Sequence, residues 1–145
     1  MRQLSFAVMG LILLGLMSSF YYSNPILDVK ITDVRNAKGN FVLGFYKDEK
    51  SFNKREPFMR KQVDKTNLKN GVVHFKLTMP PGTYGIALLD DENKNGKMDY
   101  GFLLPTEGFG FSEYFHKGLS SPKFESFDFN MASANKTVVI KVKYM

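Results

Sequence analysis

A chain of 145 residues, 43% hydrophobic and 23% charged, has the size and apolar content for one globular domain, which excludes two domains or wholesale disorder. It has no cysteine, which removes disulfides, thiolate metal sites, a cysteine nucleophile and lipid attachment at an N-terminal cysteine. The net charge of +6 raises a nucleic-acid or anionic-membrane partner, but no RNP-type aromatic motif, zinc-finger spacing or basic helix accompanies the lysines, so no nucleic-acid partner is expected. The Lys- and Arg-rich stretch from Lys47 to Lys69, interleaved with Asp48, Glu49, Glu56 and Asp64, reads as a solvated basic surface.

Arg2, the uncharged run Phe6–Met17 and the pair Ser18 and Ser19 have the order of a secretory signal peptide. Leu4–Tyr22 is also long enough to span a bilayer, so residues 1–23 read as a signal peptide or a signal anchor. Either places a single domain, residues 24–145, in the periplasm or outside the cell. The membrane is then reached only through the N-terminal segment.

From Leu27 the periodicity is two. Leu27, Val29 and Ile31 alternate with Asp28, Lys30 and Thr32, the mark of a half-buried strand. Turn residues at Asn36–Asn40 lead into a second strand at Phe41–Lys47, and the pair is expected to close a hairpin. Asp48–Gln62 is polar and interrupted by Pro57, which fits a short helix or an irregular crossover, with a further strand near Val63. Strand pattern returns at Gly71–Met79, where His74 and Lys76 take the solvent face, and after Pro80-Pro81-Gly82 in the apolar run Thr83–Asp91. Phe127, Phe129 and Met131 alternate with polar residues, as do Val138, Ile140, Val142 and Tyr144 near the C-terminus. The expected class is all-β, an antiparallel Greek-key β-sandwich of immunoglobulin-like or transthyretin-like type with about seven strands and one long ordered loop. That loop, Asp91 to Lys123, is longer than compact domains carry without a function or internal order.

Its first part has the spacing of an oxygen-ligand calcium loop. Asp91, Asn93, Asn95, the Lys97 carbonyl and Asp99 fall at positions one, three, five, seven and nine, with Gly96 at the sharp bend of position six. Alternate residues of a tightly wound loop point inward, so these side chains can converge on one cation. Position twelve, a bidentate Glu in an EF-hand, is Phe102 here, and a strand precedes the loop in place of a helix, so this is no EF-hand. The loop resembles the related loops of secreted β-sandwich repeats and dockerin-like modules, which complete the shell from elsewhere. Asp90, Glu92 and Glu107 are the candidates for that ligand, Glu107 first, if the Pro105-Thr106-Glu107-Gly108 element doubles back. The simpler alternative is a metal-free Asn-Gly turn, which needs only Asn95 and Gly96 and leaves the offsets of Asp91, Asn93 and Asp99 without a reason. With two or three negative charges, calcium affinity is expected on the order of 0.1 to 1 mM.

The run from Leu77 to Asp99, the Gly101–Ser112 element and the late Pro122–Phe129 segment together resemble the small secreted bacterial proteins of the DUF2141 family, across roughly Leu27 to Tyr144. The Pro-Pro-Gly-x-Tyr strand entry is also found in Cna-B-like and carboxypeptidase-regulatory-like sandwiches. The resemblance implies an exported β-sandwich, and implies no catalytic residues.

Enzyme chemistry on such sandwiches finds no footing in the residues. A hydroxyisourate-hydrolase-like terminal Tyr-Arg-Gly-Ser is absent, and the two histidines, His74 and His116, stand far apart where an intradiol-dioxygenase-like iron site needs two His and two Tyr together. His74 reads as a surface residue and His116 as an ordinary loop residue. No Gly-x-Ser-x-Gly, His-Glu-x-x-His or phosphate-cradling motif occurs. Asp91 and Glu107 could serve as an acid and base pair, but calcium accounts for them with fewer assumptions. Phe102, Phe109, Phe111, Tyr114 and Phe115 crowd the rest of the loop. Packed, they roof the sandwich; exposed, Phe109, Phe111, Tyr114 and Phe115 form a patch for a protein or glycan partner.

Overall fold

The structure, a computed structural model, describes residues 24–118 and 120–145, so the expected signal segment lies outside the described residues. In chain order these form β1 (Ile26–Thr32), β2 (Asn40–Tyr46), α1 (Glu49–Asn53), β3 (Met59–Asp64), β4 (Val73–Thr78), β5 (Gly82–Asp91), β6 (Gly108–Phe111), a 3-10 turn (Phe124–Ser126), β7 (Asp128–Met131) and β8 (Lys136–Lys141). No helix among the described residues is long and apolar enough to cross a membrane.

The strands divide into two sheets, β4-β1-β8 and β3-β2-β5-β6, with β7 also paired to β5. Period-two alternation puts Leu27, Val29 and Ile31 of the first sheet against Phe41, Leu43, Phe45, Ile86 and Leu88 of the second, and Val138 and Ile140 join the same buried cluster. This is an all-β, two-sheet arrangement, as the alternation implies. Two expectations need correction. β1 and β2 do not form a hairpin: β1 has β4 on one edge and β8 on the other, and the Asn36–Asn40 turn instead carries the chain from one sheet to the other. Nor is the pairing wholly antiparallel, because β1 and β8 run parallel, Val29 opposite Val138.

Side-chain alternation cannot distinguish these pairings, since both strands of the expected hairpin present their apolar faces to the same core whichever sheet they join. β2 is buried along its full length because its outer face is covered as well. There Tyr46 packs with Phe124 and Phe127, and with Phe52 of α1. Asp48 caps α1, its side chain accepting the Ser51 N–H at 2.7 Å.

One edge of β5 serves two strands in succession. β7 pairs with Gly82–Gly85 and β6 with Ala87–Asp90, and Ser112 bridges the gap at Ile86. The Ile86 N–H donates to Ser112 Oγ at 2.8 Å, the Ser112 N–H donates to the Ile86 carbonyl at 2.9 Å, and Ser112 Oγ donates to the Phe127 carbonyl at 2.6 Å. β6 lies inside the connection read from sequence as one long loop. Its Gly-Phe-Gly-Phe sequence carries turn residues at alternate positions, yet Gly110 is where a Cβ would come 2.6 Å from Ile140 Cγ2, so β6 reaches the end of β8 only without side chains there.

Candidate functional site

β5 delivers Asp91 to the end of the sandwich, and the chain then winds through Glu92–Asp99. Asp91 organises the turn by accepting the N–H groups of Asn95 at 3.0 Å and Gly96 at 2.8 Å on its two carboxylate oxygens. Gly96 has φ +75 with open space where a Cβ would stand, so the backbone angle, not crowding, demands glycine. Asn93 Oδ1 accepts the same Asn95 N–H at 3.0 Å, and Asn95 Oδ1 accepts the Lys97 N–H at 2.8 Å. The amide groups of Asn93 and Asn95 both donate to the Asp99 carboxylate, Asn95 at 2.9 and 3.0 Å. Asp91, Asn93, Asn95, Lys97 and Asp99 thus belong to one hydrogen-bonded ring. Gly39, at φ +70, packs from below, where any Cβ would overlap the Asp91 carbonyl oxygen.

The Pro105–Gly108 element does fold back on this ring. Glu107 is buried, and its two carboxylate oxygens accept the N–H groups of Glu92 at 2.9 Å and Asp99 at 3.2 Å, the two sides of the loop. Thr106 joins it, with its N–H donating to the Asp99 carbonyl at 2.9 Å. The other two candidate ligands face elsewhere. Glu92 pairs with Arg35 Nε at 2.6 Å and accepts from Asn36 at 3.0 Å, while Asp90 points into the core toward Lys65 and Tyr144. Phe102, at the twelfth position, is 98% exposed.

The electrostatics of the loop are unbalanced. Among the described residues no Lys, Arg or His forms an ion pair with Asp91, Asp99 or Glu107. Burial pushes the Glu107 carboxyl above its ordinary value; the hydrogen bonds from Asp99 and Glu92 pull it back in part, and the neighbouring Asp99 and Asp91 add to the rise. Arg35 has the opposite effect on Glu92, holding its carboxyl below the ordinary value through their hydrogen bond. No three His, Cys, Asp or Glu side chains among the described residues already stand as a metal-binding group, so the donor set available to a cation mixes Asp with Asn oxygens.

The aromatic candidates separate into packed and exposed. Phe109 and Phe111 are half-buried on β6, 6.2 Å apart edge to face, and Phe111 stacks on Phe127 at 5.1 Å. Tyr114 packs against His116 at 5.8 Å, and Phe115 is exposed beneath Lys141, 5.1 Å from its Nζ. Phe111 and Tyr114 thus join Tyr46, Phe124 and Phe127 on the outer face of the larger sheet, whereas Phe115 lies against β8 of the smaller one. Beside them lies a cleft of about 760 Å³, lined by Val42, Leu89, Phe109, Phe111, His116 and Leu104.

Three features escaped the sequence reading. His116 is no ordinary loop residue: it is buried among Phe109, Phe111 and Tyr114, and neither ring nitrogen has a hydrogen-bond partner among the described residues. The small turn at Tyr100–Pro105, closed by the Gly101 N–H on the Leu104 carbonyl at 2.9 Å, holds Tyr100, Phe102, Leu103 and Leu104 exposed, and its signal was the apolar Phe-Leu-Leu run in a polar loop. Lys65 leaves the expected basic surface altogether. Its side chain is 1% exposed, and the signal was alternation, which puts Lys65 on the face of Met59 and Val63.

A family model described as "Uncharacterized protein conserved in bacteria (DUF2141)" matches residues 29–139. No curated protein and no solved structure matches the chain.

Proposed function

The chain belongs to the bacterial DUF2141 family, and from that premise we propose that it is an exported, non-enzymatic binding domain whose Glu92–Glu107 loop is organised by calcium. The observation that carries the reading is the gathering of Asp91, Asp99 and Glu107 at one end of the sandwich with no basic side chain among the described residues paired to them. A hard divalent cation with oxygen ligands answers that charge. Asp91, Asn93, Asn95, the Lys97 carbonyl and Asp99 would hold it, with Glu107 completing the shell while bracing the loop. The finer fold assignment, a Greek-key sandwich of the immunoglobulin-like or transthyretin-like kind, belongs to the same proposal, as does a periplasmic or extracellular location with a role in interaction or envelope structure.

An ordered loop has a use in this geometry. The Tyr100–Pro105 turn grows directly from Asp99, so fixing Asp99 fixes the direction of exposed Phe102 and Leu103. The test is thermal unfolding in calcium and in chelator. The midpoint rises with calcium in the parent protein and stays flat in Asp91→Ala. An unchanged midpoint at several millimolar calcium, with unchanged hydrogen exchange across Glu92–Glu107, removes the metal from the reading.

A metal-free carbohydrate- or protein-binding module is the second reading, and the cleft beside Phe109, Phe111 and His116 favours it. Its wall sets the apolar side chains of Phe109, Phe111 and Leu89 beside the polar ones of Asn53, Arg55 and Arg60, a mixture that suits a glycan or peptide. Glycan or peptide binding that is insensitive to chelator and lost on Phe111→Ala selects this alternative.

A further inference from the structure

Lys65 and Asp90 are the most deeply buried charged pair among the described residues, with side chains 1% and 0% exposed. β3 and β5 flank β2; Lys65 follows the last residue of β3, and Asp90 lies on β5 opposite Phe41. The Phe41 ring lies 5.0 Å from Lys65 Nζ and is itself fully buried. Tyr144 donates its hydroxyl to Asp90 Oδ2. Lys65 Nζ touches Asp90 Oδ1, yet Oδ1 has no partner in hydrogen-bond geometry among the described residues. The amine is thus held against the carboxyl group without a hydrogen bond to the oxygen that it touches.

From this juxtaposition we infer that Lys65 and Asp90 condense to an intramolecular isopeptide bond joining the end of β3 to β5. The step needs no co-reactant. In the step one proton passes from Lys65 Nζ to Asp90 Oδ1 within the touching pair, which leaves the net charge unchanged. Nζ then bonds to Asp90 Cγ, the carbonyl electron pair moves onto Oδ2, and the Tyr144 hydroxyl stabilises the charge that develops there. On collapse of the tetrahedral centre the bond from Cγ to Oδ1 breaks. Oδ1 departs as water, carrying the transferred proton and one from the attacking nitrogen. Fixed proximity replaces a bimolecular encounter, and exclusion of solvent opposes hydrolysis.

The product is satisfied where it forms. The amide oxygen keeps the Tyr144 hydrogen bond, and the amide N–H has the Asn36 carbonyl, 3.4 Å from Nζ, as its acceptor. A chain without cysteine would thereby gain a covalent staple one residue before the acidic loop. The inference rests on the core pair alone and does not depend on calcium.

The test is mass spectrometry of the purified full chain, denatured and digested with trypsin. The expected product is one branched species containing residues 62–69, uncleaved at Lys65, and residues 77–94, lighter than their sum by one water. Recovery of separate, unmodified peptides 62–65 and 66–69 beside an unmodified 77–94 overturns the proposal. So does loss of water confined to 77–94 with Lys65 cleaved, which is succinimide formation at an aspartate. These readings need no variant. Lys65→Met restores the unlinked 77–94 peptide if the link is as assigned. Tyr144→Phe, checked by circular dichroism for a retained fold, is expected to accumulate uncrosslinked protein that converts slowly; full cross-linking in that variant removes Tyr144 from the step.

Discussion

The Asp99 N–H donates to Glu107 Oε2 at 3.2 Å, and through that contact a residue eight positions along closes the acidic loop upon itself. The other oxygen of Glu107 holds the Glu92 N–H at 2.9 Å, so one side chain secures both sides of the ring. Glu107→Ala strands two backbone donors, and leaving a buried donor unpaired costs about 1–3 kcal/mol. The variant should lose stability on that scale in urea, read from the transition midpoint at constant slope. Glu107→Gln keeps one acceptor and should fall between parent and Ala, while losing as much of the calcium response as Ala does. Equal stability of all three proteins contradicts the bracing role.

Calcium at several millimolar, acting on a site with affinity on the order of 0.1 to 1 mM, should stabilise the protein by about 1–2 kcal/mol. Asp91→Asn retains one oxygen toward the Asn95 and Gly96 N–H groups but loses a charge, so the loop is expected to persist with a weaker calcium effect. Titration calorimetry with calcium, and with magnesium as the smaller competitor, reads the same site directly. A calcium response of parent size in Asp91→Asn would place the ion elsewhere.

The alternation in Leu27–Thr32, Gly71–Met79 and Lys136–Tyr144 was legible because each strand there has one buried face and one wet face. Pairing was less so. Nothing in Leu27 or Phe41 says which edge receives which neighbour, and the β1–β8 parallel pair joins residues about 109 apart in sequence, as the Ile26 N–H on Asn135 Oδ1 shows. In the loop, Asp91, Asn93, Asn95 and Asp99 were marked by spacing alone, and their mutual hydrogen bonds follow it. Glu107 stands where the chain can double back on the loop, but its acceptance of two backbone donors depends on chain geometry that no local pattern encodes. The charge of Lys65 points to the surface and its place in the alternation points inward; in the fold a buried Asp90 and an aromatic ring receive it.

Asp48 offers a pH-dependent test of α1. The Ser51 N–H holds its carboxyl below the ordinary 3.8, so the folded state releases this proton more readily than the unfolded chain. The cap therefore contributes fully above that value and is lost as pH falls through the lower folded one. Amide exchange at Ser51 and Phe52 should accelerate across that acid window in the parent protein. Asp48→Asn keeps the acceptor without the titration and should flatten the dependence. Identical acid profiles would mean the carboxylate is not what secures the helix start.

Ser112 is the most exacting position in the larger sheet, because it stands where β6 has ended and β7 has not yet begun. Its hydroxyl accepts the Ile86 N–H and donates to the Phe127 carbonyl, and it is fully buried. Ser112→Ala leaves both buried groups without a partner, which should cost about 1–3 kcal/mol. Ser112→Thr tests the space itself: a retained hydroxyl with a loss as large as that of Ala would assign the cost to crowding by the added methyl. Hydrogen exchange at Ile86 separates the two explanations, since only the Ala variant should expose that N–H while leaving the Phe111 and Phe127 rings in contact. Unchanged protection at Ile86 in Ser112→Ala would show that β6 and β7 are held to β5 by their ladders alone.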